Sequence, residues 1–522
     1  ERAEALFPWL LSSLSPSAFL DSILFTNPFL KLSAKPTGLF LRCSSSRADL
    51  VAPSLGPRKK GEPTARLPEP VGERGGEGGE EEEEDGRPLR EMWREILGSG
   101  DWGGLLEPLN SNLRREIIRY GEFAQACYDS FDYDPHSKYC GSCKYPANHF
   151  FRRLDMEDSG YTLSRYLYAT SNINLPNFFQ HSSVASVWSP HANWMGYVAV
   201  ANDEEARRLG RRDILVSWRG TVTYLEWIYD LKDILHPAHF RDDPSIKIEA
   251  GFYDLYTKKE RSCHFCTYSA REQILAEIRR LLERYRGEEL SITVTGHSLG
   301  AALAVLSAYD LAEMRVNVPR SGAGDPPIPI PIAVFSFSGP RVGNLKFKER
   351  CDELGVKVLR VHNSHDVVPT VPGIVANEKF RFQRYVEEVM SFPWSYAHVG
   401  PELSLDHRRS PFLKTHKDPG CVHNLEALLH LVDGHRGAGR GFRSATGRDV
   451  ALVNKSCDFL KGEFEVPPCW RQDENKGMVR NSDGRWVVPE RLRVEAHPPD
   501  TDHHLQQVLQ VSFDTSPPLQ AL

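Results

Sequence analysis

Short apolar runs alternate along the chain with longer segments whose apolar residues recur at helical spacing. The alternation begins near residue 195, after a region (91–131) that predicts two or three amphipathic helices. The predicted strands are 214–218, 246–249, 290–295, 332–338 and 356–361, and the clearest helical segments between them are 270–286 and 301–315. This order predicts a mostly parallel central sheet flanked by helices, which is an α/β fold. Ligand sites in such sheets lie at the carboxyl ends of the strands.

One predicted strand runs into the sequence Gly-His-Ser-Leu-Gly, and an Ala/Leu-rich helix follows it. Ser298 therefore stands between Gly296 and Gly300 where a strand becomes a helix. Two interpretations fit this position. The serine fills an ordinary tight turn, or it is a nucleophile on a strained turn whose glycines let neighbouring backbone approach. The strand before the motif and the helix after it favour the nucleophile, because this is the context in which the motif is catalytic.

A serine hydroxyl needs a base, and the base needs a carboxylate to orient it. In α/β hydrolases the aspartate and then the histidine follow the serine along the chain. Asp366 follows the strand predicted to end near residue 361, in a loop with two prolines, and so lies at the same edge of the sheet as Ser298. An Asx turn is the alternative role for Asp366. The rival carboxylates are Asp352, Asp406 and Asp418.

The histidine is less clearly specified, because several histidines follow Asp366. We select His423, which starts a helix after a Pro-Gly break, where its side chain can still point from a loop towards the site. His430 lies deeper in that helix and His398 lies in a strand-like alternation, so we expect a structural role for both. The pattern leaves three further candidates open, namely His407, His416 and His435.

An acyl-transfer site also needs two backbone N–H groups directed at the negative charge that develops on the substrate oxygen. We expect the first from Leu299, the residue after the serine, at a helix N-terminus where the helix dipole contributes. We expect the second from Thr221, which follows the strand at 214–218 in the sequence Trp-Arg-Gly-Thr. An ordinary turn at the strand end is the alternative role for Thr221.

Composition narrows the range of partners. The 522 residues carry a net charge of −6, so there is no electrostatic case for nucleic-acid binding. No uninterrupted apolar stretch reaches about eighteen residues, so we expect no transmembrane segment and at most a peripheral membrane contact.

Two cysteine pairs have the CxxC spacing of zinc ligands but lie far apart in sequence, and reduced thiols or local disulfides are the alternatives. These pairs are Cys140/Cys143 and Cys263/Cys266. We predict no metal and no cofactor.

The chain divides by composition into four parts. Residues 1–48 are Ser- and Leu-rich and poor in acidic residues, which suits an organellar transit peptide, and an unstructured extension is the alternative. Residues 49–88 contain a Gly- and Glu-rich run with few apolar residues, which predicts a disordered linker. We expect residues 89–494 to form the α/β domain, with its core at about 195–435, and residues 495–522 to form a flexible tail.

Five blocks of sequence, taken in order, resemble the class 3 (fungal-type) triacylglycerol lipases. They are WRGTVTYLEWIYDL, TVTGHSLGAALA, FSFSGPRVGN, HNSHDVVPTVPG and the histidine helix, and they span about 197–434. The flanking sequences are similar to the plant phospholipase A1-I group, and within it to the chloroplast-targeted gamma members. These flanks include MWREILGSGDWGGLLEPL and NKSCDFLKGEFEVPPCWRQDENKGMVRNSDGRWV.

This resemblance implies an α/β-hydrolase fold and an enzyme that cleaves the sn-1 ester of membrane glycerolipids. The implied substrates are phosphatidylcholine and galactolipids, with triacylglycerol as a lesser substrate. It also implies that Ser298, Asp366 and His423 form a catalytic triad, and it supports a chloroplast location. Two alternatives remain: a lipase-fold protein that binds lipid or signals without hydrolysis, and a soluble carboxylesterase.

The segment after Thr221, VTYLEWIYDL, is strongly apolar. A buried amphipathic helix is the simplest interpretation of such a segment. Because it is joined directly to the oxyanion loop, however, it must lie over the mouth of the site, and in the lipases that the chain resembles this segment is the lid. We therefore expect lipid contact through the lid residues Tyr224, Leu225, Trp227 and Ile228.

Overall fold

The computed structural model describes residues 87–134, 136–170, 192–221, 235–240, 243–319, 328–373, 395–437, 439–472, 477–487, 489 and 497–514. The predicted transit peptide at 1–48 and the predicted linker as far as residue 86 lie outside the described residues, as do Tyr224, Leu225, Trp227 and Ile228. Glu81–Leu522 groups as one structural unit.

The strands in the described residues are β1 (Tyr161–Thr170), β2 (Ala192–Ala201), β3 (Arg212–Trp218), β4 (Leu235–Pro237), β5 (Lys247–Glu249), β6 (Leu290–His297), β7 (Ile332–Phe337), β8 (Lys357–Asn363), β9 (Glu402–Leu405), β10 (Val479–Arg480) and β11 (Trp486–Val487). The main sheet has the order β1-β2-β3-β6-β7-β8-β9. The pairs β1/β2 and β2/β3 are antiparallel, and the pairs from β3 to β9 are parallel. β3, β6 and β7 are buried along their whole length, which accounts for their continuous apolar and β-branched sequences.

The helices in the described residues are α1 (Leu89–Ile96), α2 (Ser111–Ser130), α3 (Phe150–Arg153), α4 (Asp203–Leu209), α5 (Ala250–Thr257), α6 (Ala270–Arg284), α7 (Leu299–Glu313), α8 (Leu345–Glu353), α9 (Pro419–Val422), α10 (Leu425–Gly434) and α11 (Thr501–Asp514). Local sequence sets their ends. Ser269 and Glu272, for example, form a capping box that starts α6. Within the described residues, no helix is long and apolar enough to cross a membrane.

The sheet separates two hydrophobic layers, because successive side chains on a strand point to opposite faces. On β7, Val334 faces the layer that contains α6 and α7, whereas Phe335 faces the layer that contains α2 and α10. Tyr120 of α2 stacks on Phe335 with ring centroids 4.6 Å apart. α7 is buried at every residue, which explains why its sequence is apolar on all sides.

The predicted α/β architecture, a mostly parallel sheet flanked by helices, is confirmed, but the set of strands differs: β5 lies outside the main sheet, and β1, β2 and β9 belong to it without having been predicted. The strand predicted at 246–249 forms as β5, yet it pairs with β4 and lies outside the main sheet. It cannot extend, because α5 starts directly after it with Glu249 as its N-cap. The main sheet also contains β1, which precedes the alternation that the sequence shows from residue 195.

The prediction of a flexible tail at 495–522 is wrong for α11. Leu505 and Val508 of this helix are buried in the same layer as α6. At the start of α11, the Arg165 guanidinium of β1 donates to the Thr501 hydroxyl at 3.2 Å. Because the few apolar residues of α11 are spread through a polar sequence, composition alone does not indicate that the segment packs on the domain.

Candidate active site

Ser298 occupies the turn between β6 and α7. Its backbone has φ 59° and ψ −125°, a conformation that costs a non-glycine residue about 1–3 kcal/mol. A Cβ on Gly296 would lie 2.3 Å from the Gly300 carbonyl oxygen, and a Cβ on Gly300 would lie 2.3 Å from the Trp218 carbonyl oxygen. The turn thus has the form of a nucleophile elbow, in which a strained serine is enclosed by backbone that only glycine admits.

The parallel register of the sheet brings the loop that contains Thr221 to this elbow. Trp218, the last residue of β3, is paired with Gly296 of β6, so the chain leaves both strands at the same edge. Gly220 then lies against the elbow, since a Cβ on it would be 2.5 Å from the His297 carbonyl oxygen. Thr221 is the next residue, and its backbone N–H therefore lies beside the serine turn.

Asp366 and His423 come together from two separate loops. Asp366 lies three residues after the end of β8, and its Oδ1 accepts the Val368 N–H at 3.0 Å. Nδ1 of His423 lies 2.7 Å from Oδ2 of Asp366, and both side chains are buried. This distance is that of a charge-assisted hydrogen bond in which Nδ1–H donates to the carboxylate. The bond leaves Nε2 as the basic nitrogen of His423.

The backbone around His423 fixes where its imidazole emerges. Asp418 caps α9 by accepting two backbone N–H groups of that helix, each at 3.0 Å. The helix is one turn long, and the His423 N–H donates to the Pro419 carbonyl at 3.0 Å. Asn424 is already the cap of α10. His423 is therefore held at the junction of two helices, which is a more rigid position than a loop.

The Ser298 hydroxyl and Nε2 of His423 are both buried, and neither has a hydrogen-bond partner among the described residues. The ring of His297, the residue before the serine, lies with its centroid 4.5 Å from that of His423. The residue before the candidate nucleophile thus lies beside the candidate base, although Oγ and Nε2 do not form a hydrogen bond. Such contacts are often open in an enzyme without substrate and tighten when the substrate binds.

The other histidines and carboxylates suggested by the sequence are engaged elsewhere. Nε2 of His398 donates to the Pro369 carbonyl at 2.8 Å, and Nε2 of His430 lies 2.8 Å from the Ser410 hydroxyl. The remaining candidates contact Asn363 (His407), the Asp418 N–H (His416), Glu107 (His435), Lys348 (Asp352), Arg408 (Asp406) and the backbone of α9 (Asp418). Among these candidates in the described residues, the histidine and the carboxylate that are joined by an imidazole-to-carboxylate hydrogen bond are His423 and Asp366.

Leu299 and Thr221 remain the predicted sources of the two N–H groups for a developing oxyanion. Leu299 is the first residue of α7, so its N–H is one of those that a helix leaves without an intrahelical partner. The partial positive charge of the helix N-terminus adds to it. Thr221 is half-buried and is the last described residue before the gap at 222–234. The contact of Gly220 with the elbow holds the two loops together.

Two residues that the sequence analysis missed lie beside this pair. The hydroxyl of Tyr128, near the end of α2, lies 2.8 Å from Nδ1 of His297. Nε2 of His297 lies 2.9 Å from the backbone carbonyl oxygen of His423. Burial, with a smaller effect of His423, lowers the pKa of His297 well below its ordinary value, so this ring is neutral. The position of His297 inside the serine motif could have drawn attention to it, whereas Tyr128 lies 169 residues away and carries no such signal.

One group within the described residues is close enough to hold a metal ion: His365, Asp406 and His407, whose ligand atoms lie within 4.8 Å of one another. The Asp406 carboxylate, however, is bound by the Arg408 guanidinium at 2.7 and 3.0 Å, and this pairing lowers the pKa of Asp406 to about 2. A guanidinium so close disfavours a bound cation, and we assign the group a structural role. Among the described residues, the two CxxC pairs do not form a metal-binding group with each other.

Comparisons with known proteins show which proteins this chain is similar to. Residues 215–376 match the family model for Lipase (class 3). Phospholipase A1-Igamma3, chloroplastic, of Arabidopsis thaliana is 70% identical over 433 residues, which are 81% of this chain and 81% of that protein. Galactolipase DONGLE, chloroplastic, of the same plant is 46% identical over 353 residues, which are 66% of this chain and 70% of that protein. The native Rhizomucor miehei lipase propeptide complex is 19% identical over 57% of this chain and 69% of that chain, with a TM-score of 0.35.

The parallel sheet and the serine elbow define the class of this protein as an α/β hydrolase. The identity to the relatives then narrows the class. The chain belongs to the class 3 lipase family, and within that family to the phospholipase A1-I group. The resemblance of the five sequence blocks and their flanks is thereby confirmed.

Proposed function

We propose that this protein is a serine acylhydrolase that releases a fatty acid from the sn-1 position of membrane glycerolipids. The observation that carries this proposal is the hydrogen bond between His423 and Asp366 beside a serine on a strained elbow. The names of two relatives, a phospholipase A1 and a galactolipase, support phospholipids and galactolipids as the substrates. Triacylglycerol is a lesser substrate in this proposal, and the reaction uses no cofactor.

The proposed reaction passes through an acyl-enzyme. Oγ of Ser298 attacks the sn-1 acyl carbonyl while Nε2 of His423 accepts the hydroxyl proton. Asp366 keeps the other imidazole proton on Nδ1 and stabilises the imidazolium that forms. The N–H groups of Leu299 and Thr221 stabilise the oxyanion of the tetrahedral intermediate. His423 then gives its proton to the departing lysolipid oxygen, and water releases the fatty acid by the same steps.

The proposed location is the chloroplast, at a membrane surface or in the stroma. Support comes from the Ser-rich, acid-poor sequence of residues 1–48 and from the relatives whose names carry the word chloroplastic. A fluorescent fusion of residues 1–60 tests this location in plant cells. Fluorescence inside chloroplasts is the expected result, and a fusion that stays in the cytosol would count against the location.

Contact with the membrane is proposed to be peripheral and to run through the lid segment that follows Thr221. The support is the apolar sequence of that segment and its direct connection to the loop beside the serine elbow. Contact of this apolar segment with acyl chains would be favourable, because it removes apolar area from water.

The test of the proposed function is an assay of the purified full chain on vesicles of mixed plastid lipids, with products identified by mass spectrometry. Wild-type protein should release fatty acid and leave lysolipids that retain the sn-2 acyl chain, and Ser298→Ala should release none. Lysolipids that retain the sn-1 chain would overturn the positional assignment. Hydrolysis of short soluble esters without hydrolysis of vesicle lipids would favour a carboxylesterase, and vesicle binding without any product would favour a non-hydrolytic lipid-binding protein.

A further inference from the structure

A chain of contacts connects the loop that carries Thr221 with the backbone of His423. Gly220 packs against the Tyr128 hydroxyl, since a Cβ on Gly220 would lie 2.1 Å from the hydroxyl oxygen. The Tyr128 hydroxyl lies 2.8 Å from Nδ1 of His297, and Nε2 of His297 lies 2.9 Å from the carbonyl oxygen of His423. The chain thus runs from one side of the candidate active site to the other.

The direction of each hydrogen bond follows from the groups involved. The His423 carbonyl oxygen can only accept, so Nε2 of His297 carries the ring proton. Because the buried ring of His297 is neutral, its Nδ1 carries no proton and accepts from the Tyr128 hydroxyl. The His423 carbonyl and the Tyr128 hydroxyl therefore favour the same tautomer of His297, with the proton on Nε2.

A second contact holds the same loop from the other side. The Arg219 guanidinium donates to the Gly220 carbonyl at 2.8 Å and is itself anchored on the Trp194 carbonyl at 2.9 Å. The Gly220 carbonyl and the Thr221 N–H belong to one planar peptide group, so a bond that orients the carbonyl also orients the N–H. Gly220 itself also packs against the Tyr128 hydroxyl oxygen. Two contacts therefore hold the peptide group that carries the Thr221 N–H.

We propose that Tyr128 is a positioning residue for acyl transfer, which acts through His297 and Gly220 on both the base and the oxyanion donor. This inference rests on the proposed function, because the task assigned to the Tyr128 hydroxyl is to position groups for that reaction. Loss of that hydroxyl frees His297 to change its protonated nitrogen, and the bond to the His423 carbonyl is then lost. It also removes the oxygen atom that packs against Gly220. Both effects disturb the geometry needed in the transition state.

Tyr128→Phe tests the proposal, because it keeps the aromatic ring and removes the hydroxyl. The assay uses the full chain and a monomeric short-chain p-nitrophenyl ester, so that membrane binding does not enter. We expect kcat to fall roughly 10- to 100-fold and KM to change by less than about twofold. The matched control is Tyr197→Phe, since the hydroxyl of this buried tyrosine donates to the Phe123 carbonyl at 2.9 Å. The control should keep kcat within about twofold of the wild-type value.

Two further variants keep the test decisive if Tyr128→Phe does not fold. His297→Gln retains a donor near the position of Nε2, whereas His297→Leu removes every polar contact of this side chain. We expect His297→Gln to be the more active of the two by roughly tenfold, because it can still bond to the His423 carbonyl. Equal kcat values in these two variants, or a wild-type kcat in folded Tyr128→Phe, would overturn the proposal.

Ser298→Ala in the same series separates this inference from the proposed function. If Ser298→Ala remains active, the serine mechanism is wrong and the task assigned to Tyr128 falls with it. If Ser298→Ala is inactive and folded Tyr128→Phe keeps its full kcat, the mechanism stands and only the positioning role is overturned. A comparison of thermal midpoints completes the series, because a merely structural loss would lower the midpoint of Tyr128→Phe without the selective loss of kcat.

Discussion

Nδ1 of His423 and Oδ2 of Asp366 lie 2.7 Å apart, although 57 positions separate the two residues in the sequence. The parallel pairing of β8 with β7, and of β7 with β6, brings Asp366 to the sheet edge at which Ser298 stands, and the caps of α9 and α10 bring His423 to the same place. General-base catalysis requires a carboxylate that orients an imidazole and leaves its second nitrogen able to accept a proton. Asp366 and His423 have this arrangement, because Nε2 of His423 has no hydrogen-bond partner among the described residues.

His423→Ala should lower kcat on a soluble ester about 10⁴-fold, because the hydroxyl proton of Ser298 then has no base beside it. His430→Ala is the matched control, since His430 is also a buried histidine of this helical region but bonds to Ser410. The control should lower the free energy of unfolding and leave kcat near the wild-type value. An active His423→Ala together with an inactive, folded His430→Ala would reverse the assignment. Steady-state kinetics and urea unfolding of both variants provide the measurement.

Trp227→Ala should lower activity on liposomes far more than activity on a monomeric short-chain ester. The proposal assigns Trp227 to lipid contact, and apolar area removed from water contributes about 25 cal/mol per Å². Tryptophan also favours the interface between lipid and water. The two substrates are compared at matched enzyme concentration, with vesicle binding measured by sedimentation. An equal loss of activity on both substrates would instead place Trp227 in the core or in the pocket.

Local sequence was sufficient to predict the serine turn and the strands that support it. The motif around Ser298 contains both glycines that the backbone needs, and β3, β6 and β7 are rich in apolar and β-branched residues because both faces of the parallel sheet are covered. The order of strands then placed Asp366 at the correct edge. These features depend on short-range pattern and on the general rule for ligand sites in parallel sheets.

Features that depend on long-range packing were not predictable in the same way. The pattern left several histidines open, because the distance from His423 to Asp366 is set by the folding of two loops and not by spacing along the chain. Tyr128 meets His297 only because α2 packs on the sheet. The positions of β5 and α11 likewise depend on the element against which each one packs. β5 pairs with β4, and α11 packs in the same layer as α6.

Burial keeps His430 neutral and lowers its pKa to about 4, with Asp433 raising and Arg448 lowering the value by smaller amounts. The unfolded chain has a histidine pKa of about 6.5, so between these values it binds a proton that the folded protein does not. The stabilisation is therefore complete above about pH 6.5 and is lost as the pH falls towards 4, by about 3 kcal/mol from this residue. Urea unfolding at about pH 7.5 and about pH 4.5 measures the difference.

His430→Gln is the control for this pH effect, because glutamine keeps a polar group near the Ser410 hydroxyl and does not titrate. The free energy of unfolding of this variant should fall less steeply between the two pH values than that of the wild-type protein. If wild type and His430→Gln lose the same stability on acidification, other groups account for the pH dependence. The buried His398, whose pKa is also lowered by burial, would then be the next residue to replace.

Ser298→Gly should stabilise the folded protein while it abolishes hydrolysis. The positive φ of Ser298 costs about 1–3 kcal/mol, and glycine adopts this conformation freely. The Ser298 hydroxyl has no hydrogen bond among the described residues that the substitution would remove. The greater freedom of glycine in the unfolded chain offsets about 0.5–1 kcal/mol of the gain. Ser298→Ala is the matched control, because it removes the same oxygen but keeps the strained backbone. Urea unfolding should therefore show a higher midpoint for Ser298→Gly than for Ser298→Ala, and an equal or lower midpoint would mean that the elbow stores little strain.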